Sequence, residues 1–207
     1  MASEIIFYHA PNARSGGTLL LLEELGAPYE LRVLNLNKGE QRQPAYLAIN
    51  PMGKVPAIVH GESLITEQVA IYIYLADLFP VAGLAPQIGD PQRGPYLRWL
   101  AFYGSCFEPA MTDRALKRDS GTPRASPYGD FETMFGTLTK QLEQGPYLLG
   151  ERFSAADLLW GLSLAYMVGW KLVPDLPAIV AYTARIGARP AVARVKAKDA
   201  ELAAAQA

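Results

Sequence analysis

Every stretch with the pattern of a β-strand lies within the first 66 residues of a chain of 207. Ile5-Ile6-Phe7-Tyr8 is β-branched and aromatic and runs into the turn formers Pro11-Asn12, so it reads as a short buried strand. Residues 18–25 are rich in Leu and Glu and stop at Gly26, the pattern of a terminated helix. Residues 28–34 begin with Pro and then alternate, as a second strand does. Strand, helix and strand in that order form a βαβ unit, so the two strands are expected to be parallel. Residues 41–49 read as a short helix or an irregular segment. Ala57-Ile58-Val59 and Leu64-Ile65-Thr66 read as strands joined by a hairpin turn at His60-Gly61-Glu62-Ser63, and residues 68–79 carry apolar positions near helical spacing.

Residues 80–95 hold Pro80, Gly83, Pro86, Gly89, Pro91, Gly94 and Pro95 without any period, which marks a boundary. Beyond it only helical patterns remain, over residues 96–119, 128–144, 155–170, 178–186 and from Ala191 onward. Ser154-Ala155-Ala156-Asp157 is a capping pattern ahead of an apolar run. The expectation is an α/β domain over residues 1–80, a linker over 81–95 and an all-α domain over 96–207.

Composition removes several function classes. The chain carries 19 Lys+Arg against 20 Asp+Glu, a formal charge of -1, which argues against a broad footprint for nucleic acid or an anionic membrane. One cysteine excludes an intrachain disulfide framework and any CxxC motif, and two histidines leave little material for a metal site. Half the residues are apolar, and a chain this long buries roughly 70% of its unfolded surface without staples. Met1-Ala2-Ser3-Glu4 has no basic n-region, and no run approaches the ~20 apolar residues of a membrane span, so a cytoplasmic protein is expected.

The order βαβ, ββα and then helices, together with four local motifs, resembles the bacterial cytosolic glutathione S-transferase family over nearly the whole chain. The motifs are Glu23-Glu24-Leu25-Gly26-Ala27-Pro28-Tyr29-Glu30, Asn50-Pro51-Met52-Gly53-Lys54-Val55-Pro56-Ala57, Ile65-Thr66-Glu67-Gln68-Val69-Ala70-Ile71 and Phe153-Ser154-Ala155-Ala156-Asp157. The resemblance implies a thioredoxin-like first domain with a mixed four-stranded sheet, glutathione as co-substrate, no metal, and a homodimer.

It also implies a ligand set. Pro56 would be cis, and the backbone of Val55 would pair with the cysteinyl peptide of glutathione. Lys54 would meet the glycine carboxylate, Gln68 at a helix N-terminus the γ-glutamyl carboxylate, and Glu67 the ammonium group. The family more often has Ser after the acidic or amide residue, where Gln68 stands here. A free thiol has a pKa of about 8.5, so something must stabilise the thiolate. The family uses Tyr, Ser or Cys at the first strand-to-helix turn. That turn is Tyr8-His9-Ala10-Pro11-Asn12-Ala13-Arg14-Ser15 and holds no Cys, which excludes an enzyme–glutathione disulfide there. Ser15 is the first choice and Tyr8 the second, with Asn12 and Arg14 as further electrophilic groups. His9 and His60 read as turn residues without catalytic partners, and Cys106 as a buried small hydrophobe.

Trp99, Tyr103, Phe107, Met111 and Arg114 share one helix face by their spacing. The same spacing suits a core. By resemblance, this helix borders the electrophile site. Tyr103, Phe107 and Met111 would form its wall, Arg114 would receive an anionic group, and Tyr166 and Trp170 would close it. Asp157 reads as structural, completing the Ser154 capping box. Three functions remain open. One is conjugation of glutathione to small hydrophobic electrophiles, another is a glutathione-dependent reductase, isomerase or ether-cleaving enzyme, and the third is a non-catalytic glutathione-binding stress or interaction protein.

Overall fold

The computed structural model describes residues 5–206, so the leader reading of Met1 to Glu4 falls outside the described residues. The chain divides into two compact units, residues 1–82 with 189–207, and residues 83–188.

In the first unit, β1 (Ile5–His9), α1 (Ser15–Leu25) and β2 (Glu30–Val33) form the expected βαβ element, and β1 and β2 are parallel. After a short helix α2 (Pro44–Leu47) come β3 (Ala57–His60), β4 (Ser63–Ile65) and α3 (Gln68–Leu78). The sheet runs β2-β1-β3-β4, with β3 antiparallel to both of its neighbours. Side chains alternate across β1, so Ile5, Phe7 and His9 are buried on one face while Ile6 and Tyr8 sit half-buried on the other.

Leu19, Leu20, Leu21 and Leu22 are all fully buried, so α1 is hydrophobic around its whole circumference. Such a helix needs cover on more than one side. β1 and α3 supply part of it, and the final helix α9 (Pro190–Ala204) supplies the rest. Arg189 grips Glu24 with two hydrogen bonds of 2.7 Å, and Lys198 Nζ donates to the Tyr29 hydroxyl at 2.8 Å. This corrects the expected division of the chain. The helical unit ends at Ala188, and α9 belongs with the first unit because α1 offers it an apolar face. The break falls after Ala82, so residues 83–95 of the segment 81–95 expected as linker belong to the second unit.

The second unit holds α4 (Arg93–Phe102), α5 (Glu108–Leu116), α6 (Phe131–Leu142), α7 (Ala155–Gly169) and α8 (Pro177–Gly187). The expected continuous helix over 96–119 is split by a π-helical turn, Tyr103–Phe107. Trp160 is the centre of this unit. Its ring lies 4.7 Å from Phe107, 5.3 Å from Tyr103 and 6.0 Å from Trp99, and its indole N–H donates to Trp99 O at 2.9 Å. The Ser154 motif behaves as read. Asp157 Oδ2 accepts from Ser154 N–H and Oγ–H, while Oδ1 accepts from Leu148 N–H and the Tyr182 hydroxyl. Burial pushes the Asp157 pKa up, against the pull of those four donors.

Candidate functional site

Three segments of the first unit meet around the C-terminal end of β1. The first is the turn between β1 and α1. Asn12 and Arg14 are exposed there, and Asn12 takes a left-handed φ of 55°. Ser15 opens α1 and is fully buried. Its Oγ accepts from Ala10 N–H at 3.1 Å and lies 3.2 Å from Ala10 O and 2.9 Å from His9 Nδ1. The hydroxyl therefore faces the inside of its own turn and not an open surface.

The second segment precedes β3. Tyr8 pairs with Ala57 across β1 and β3, so this register sets Pro56 beside the end of β1. The Val55–Pro56 peptide is cis, as the resemblance implied. Tyr46 and Asn50 both donate to Lys54 O, at 2.6 and 2.8 Å, and hold the loop from beneath, leaving the Lys54 side chain exposed. Gly53 has φ 59°, and a Cβ there would come within 2.6 Å of Gln41 O, so no larger residue fits without a shift. Among the described residues, neither the N–H nor the C=O of Val55 has a hydrogen-bond partner.

The third segment is the start of α3. Glu67 is exposed at φ 61°, and no side chain caps the helix, so its first-turn N–H groups remain available to an anion. Gln68 Nε2 donates to Arg14 O at 3.1 Å and so ties this segment to the first. Gly17 makes that approach possible, because a Cβ there would lie 2.6 Å from Gln68 Nε2.

Tyr8 belongs elsewhere. It points to the sheet face opposite His9, with its ring 5.4 Å from Tyr46. There it lines a cavity of about 340 Å³ with Arg32, Glu40 and Gln43. Burial raises the Tyr46 pKa in the same place.

In the second unit the expected wall residues Tyr103, Phe107 and Met111 are buried at 3% exposure or less. Tyr103 and Phe107 pack on Trp160, and Met111 is buried too, because a core face and a pocket face have the same helical spacing. Tyr103 donates to Glu108 Oε1 at 2.6 Å and lies 2.7 Å from Ser163 Oγ. Arg114, Tyr166 and Trp170 are exposed. Arg114 stacks 4.1 Å above the Phe131 ring beside a cavity of about 230 Å³, and the Tyr166 and Trp170 rings stack 5.7 Å apart. Cys106 is half-buried, with Sγ 3.5 Å from Pro127 O.

The histidine reading is corrected. Both histidines end strands, and both are partnered. His60 Nδ1 lies 2.6 Å from the Tyr74 hydroxyl. His9 is fully buried between Ser15 and Asp199 of α9, with Nε2 3.0 Å from Asp199 Oδ1. Burial lowers the His9 pKa, opposed by the Asp199 charge. No local motif announces this pair, because Asp199 comes from the far end of the chain. No cluster of His, Cys, Asp or Glu able to hold a metal occurs among the described residues, and no described helix is long and apolar enough to cross a membrane.

A thioredoxin-like α/β unit with a cis-proline loop beside β1, followed in the chain by a helical unit, defines the class. Residues 3–77 match the family model of the glutathione S-transferase N-terminal domain, and residues 128–199 match that of the C-terminal domain. The chain is 31% identical over 208 residues to the disulfide-bond oxidoreductase YfcG of Escherichia coli (strain K12), covering 94% of this chain and 95% of that protein. It is 30% identical over 202 residues to glutathione S-transferase F10 of Arabidopsis thaliana, covering 90% and 93%. A glutathione transferase homologue from Sulfitobacter, solved with bound glutathione, superimposes with a TM-score of 0.74 at 27% identity, covering 95% of this chain and 98% of that one. The chain belongs to the glutathione S-transferase family.

Proposed function

We propose that this protein binds glutathione in its first unit and delivers the thiolate to a small hydrophobic electrophile. The unpartnered Val55 peptide beside β1 carries the reading, since it offers one donor and one acceptor to an extended peptide. Lys54 takes the glycine carboxylate, the first turn of α3 with Gln68 takes the γ-glutamyl carboxylate, and Glu67 takes the ammonium group. The bound glutathione of the Sulfitobacter homologue supports the same ligand here.

The sulfur then lies over the β1–α1 turn, where Asn12 and Arg14 are the exposed polar side chains. Positive potential from Arg14 and the α1 N-terminus favours thiolate over thiol. Ser15 serves this chemistry by bracing the turn, since its hydroxyl is already engaged by Ala10 and His9. The thiolate attacks the electrophilic carbon, a C–S bond forms, and the leaving group departs or the enolate takes up a proton. Arg114, Tyr166 and Trp170 are the candidates for contact with this second substrate. A homodimer follows from family membership as part of the same proposal, and sedimentation at the monomer mass would contradict it.

A second reading is glutathione-dependent disulfide reduction, favoured by the 31% identity to YfcG. With no cysteine in the turn, both reducing sulfurs would come from glutathione. Calorimetry with glutathione tests the shared part. Turnover on aryl halides, enones and epoxides against turnover on a small disulfide then separates the two. Binding with no turnover on any would leave a non-catalytic binding protein, and no binding would sink both readings.

A further inference from the structure

Asp199 touches the candidate thiol site from outside it. A buried imidazole such as His9 needs a partner on each ring nitrogen. Asp199 Oδ1 lies 3.0 Å from Nε2, and Ser15 Oγ lies 2.9 Å from Nδ1. The other carboxylate oxygen, Oδ2, accepts the backbone N–H of Asn12 at 3.0 Å. One side chain therefore meets the turn at two places, at the crest through the Asn12 N–H and at its start through His9, which in turn meets Ser15.

Asp199 Oδ1 faces His9 Nε2 at ion-pair distance, without hydrogen-bond alignment. Ser15 Oγ lies beside His9 Nδ1, accepts the Ala10 N–H and is placed to donate to Ala10 O. Asn12 holds a left-handed conformation, one that Asn adopts more readily than most non-glycine residues, and Asp199 fixes its peptide N–H there. The anchor comes from α9, whose N-terminal end is tied to α1 by Arg189 on Glu24 and Arg194 on Glu23.

We propose that Asp199 is a positioning residue for the thiolate, fixing the β1–α1 turn so that Asn12 and Arg14 face the glutathione sulfur. This rests on the glutathione reading above. Asp199 does not touch substrate and acts only through the turn.

The test uses the full chain with Asp199→Ala and Asp199→Asn. Asparagine keeps one acceptor for Asn12 but removes the charge facing His9, and it guards against a poorly folding alanine variant. The readouts are the affinity for glutathione, the pH titration of the bound thiol by thiolate absorbance, and the thermal midpoint. In the wild type the bound thiol should titrate below the free value of about 8.5. In both variants it should return toward that value, and turnover at neutral pH should fall by roughly tenfold, the loss typical of one hydrogen bond near a charge. Glutathione affinity should change by less than about threefold, because Lys54, Val55, Glu67 and Gln68 are untouched. An unchanged thiol titration in both variants, even with a lowered thermal midpoint, would reduce Asp199 to a structural role and overturn the proposal. A wild type that binds glutathione without lowering its thiol pKa would also overturn it. A wild type that binds no glutathione would overturn the underlying reading as well, and that arm is visible before any variant is made.

Discussion

Replacing Gly17 by Ala perturbs the candidate site through one atom. A Cβ at Gly17 would stand 2.6 Å from Gln68 Nε2 and 3.1 Å from the Tyr72 hydroxyl. Ordinary contact begins at 3.4 Å, so the Gln68 amide has to retreat by about 0.8 Å. Its hydrogen bond to Arg14 O, now 3.1 Å, does not survive that movement, and the amide leaves the α3 N-terminus where the γ-glutamyl carboxylate is proposed to sit. Losing one hydrogen bond to a charged group removes about 1.5–3 kcal/mol, which weakens glutathione binding roughly 10- to 100-fold. The fold should suffer little, because Ala gains up to about 1 kcal/mol over Gly within a helix and offsets the strain at Tyr72. Isothermal titration with glutathione, paired with thermal melting, reads both effects. Gly16→Ala is the internal control, since nothing lies within 4 Å of a Cβ there, and it should bind glutathione normally. On a Gln68→Ala background, Gly17→Ala should add almost nothing. Wild-type affinity in Gly17→Ala, with the melt unchanged, would refute the placement of Gln68.

Two further outcomes follow from packing and charge. Gly161→Ala places a Cβ within 2.5–2.8 Å of three atoms of the buried Ile186, and overpacking of about 1–3 kcal/mol should exceed the helix gain of about 1 kcal/mol. A lowered denaturant midpoint is expected, and an unchanged one would refute the close approach of α7 and α8. Burial depresses the folded pKa of His9, with Lys198 acting in the same direction and Asp199 against both, so the unfolded chain binds a proton there more readily. Stability from this group is full above an unfolded pKa of about 6.5 and is lost as pH falls through the lower folded value. Urea melts from pH 7 to 5 should show a steeper loss for the wild type than for His9→Gln, and parallel curves would contradict a neutral His9.

The parts of this protein legible in its sequence are those whose cause is local. Asn50-Pro51-Met52-Gly53-Lys54-Val55-Pro56 declares itself because the loop needs a positive φ at Gly53 and an asparagine that folds back on Lys54 O. Ser154 and Asp157 are three residues apart and satisfy one another. Ser15 is different. A serine that caps a helix, meets a sulfur or braces its own turn has the same neighbours in sequence, and only His9 and Asp199 decide among them. Tyr103 and Phe107 show the same degeneracy, since Trp160, which packs on them, lies on another helix. The allegiance of α9 is illegible for a related reason. An amphipathic pattern reveals that one face will be covered but not by what, and the covering surface is the leucine run at the opposite end of the chain.

That last arrangement makes the first unit discontinuous, with consequences for synthesis. Domains commonly fold in order as the chain emerges at about 5–20 residues per second. Here residues 83–188 separate the two pieces of the first unit, so on the order of ten seconds pass between them. The helical unit, unbroken in sequence, can finish while the leucine face of α1 still waits for α9. The nascent chain should be most vulnerable to aggregation and to hydrophobic chaperone capture during that interval. A release experiment that adds residues 189–207 stepwise should find protease resistance of the first 82 residues appearing last.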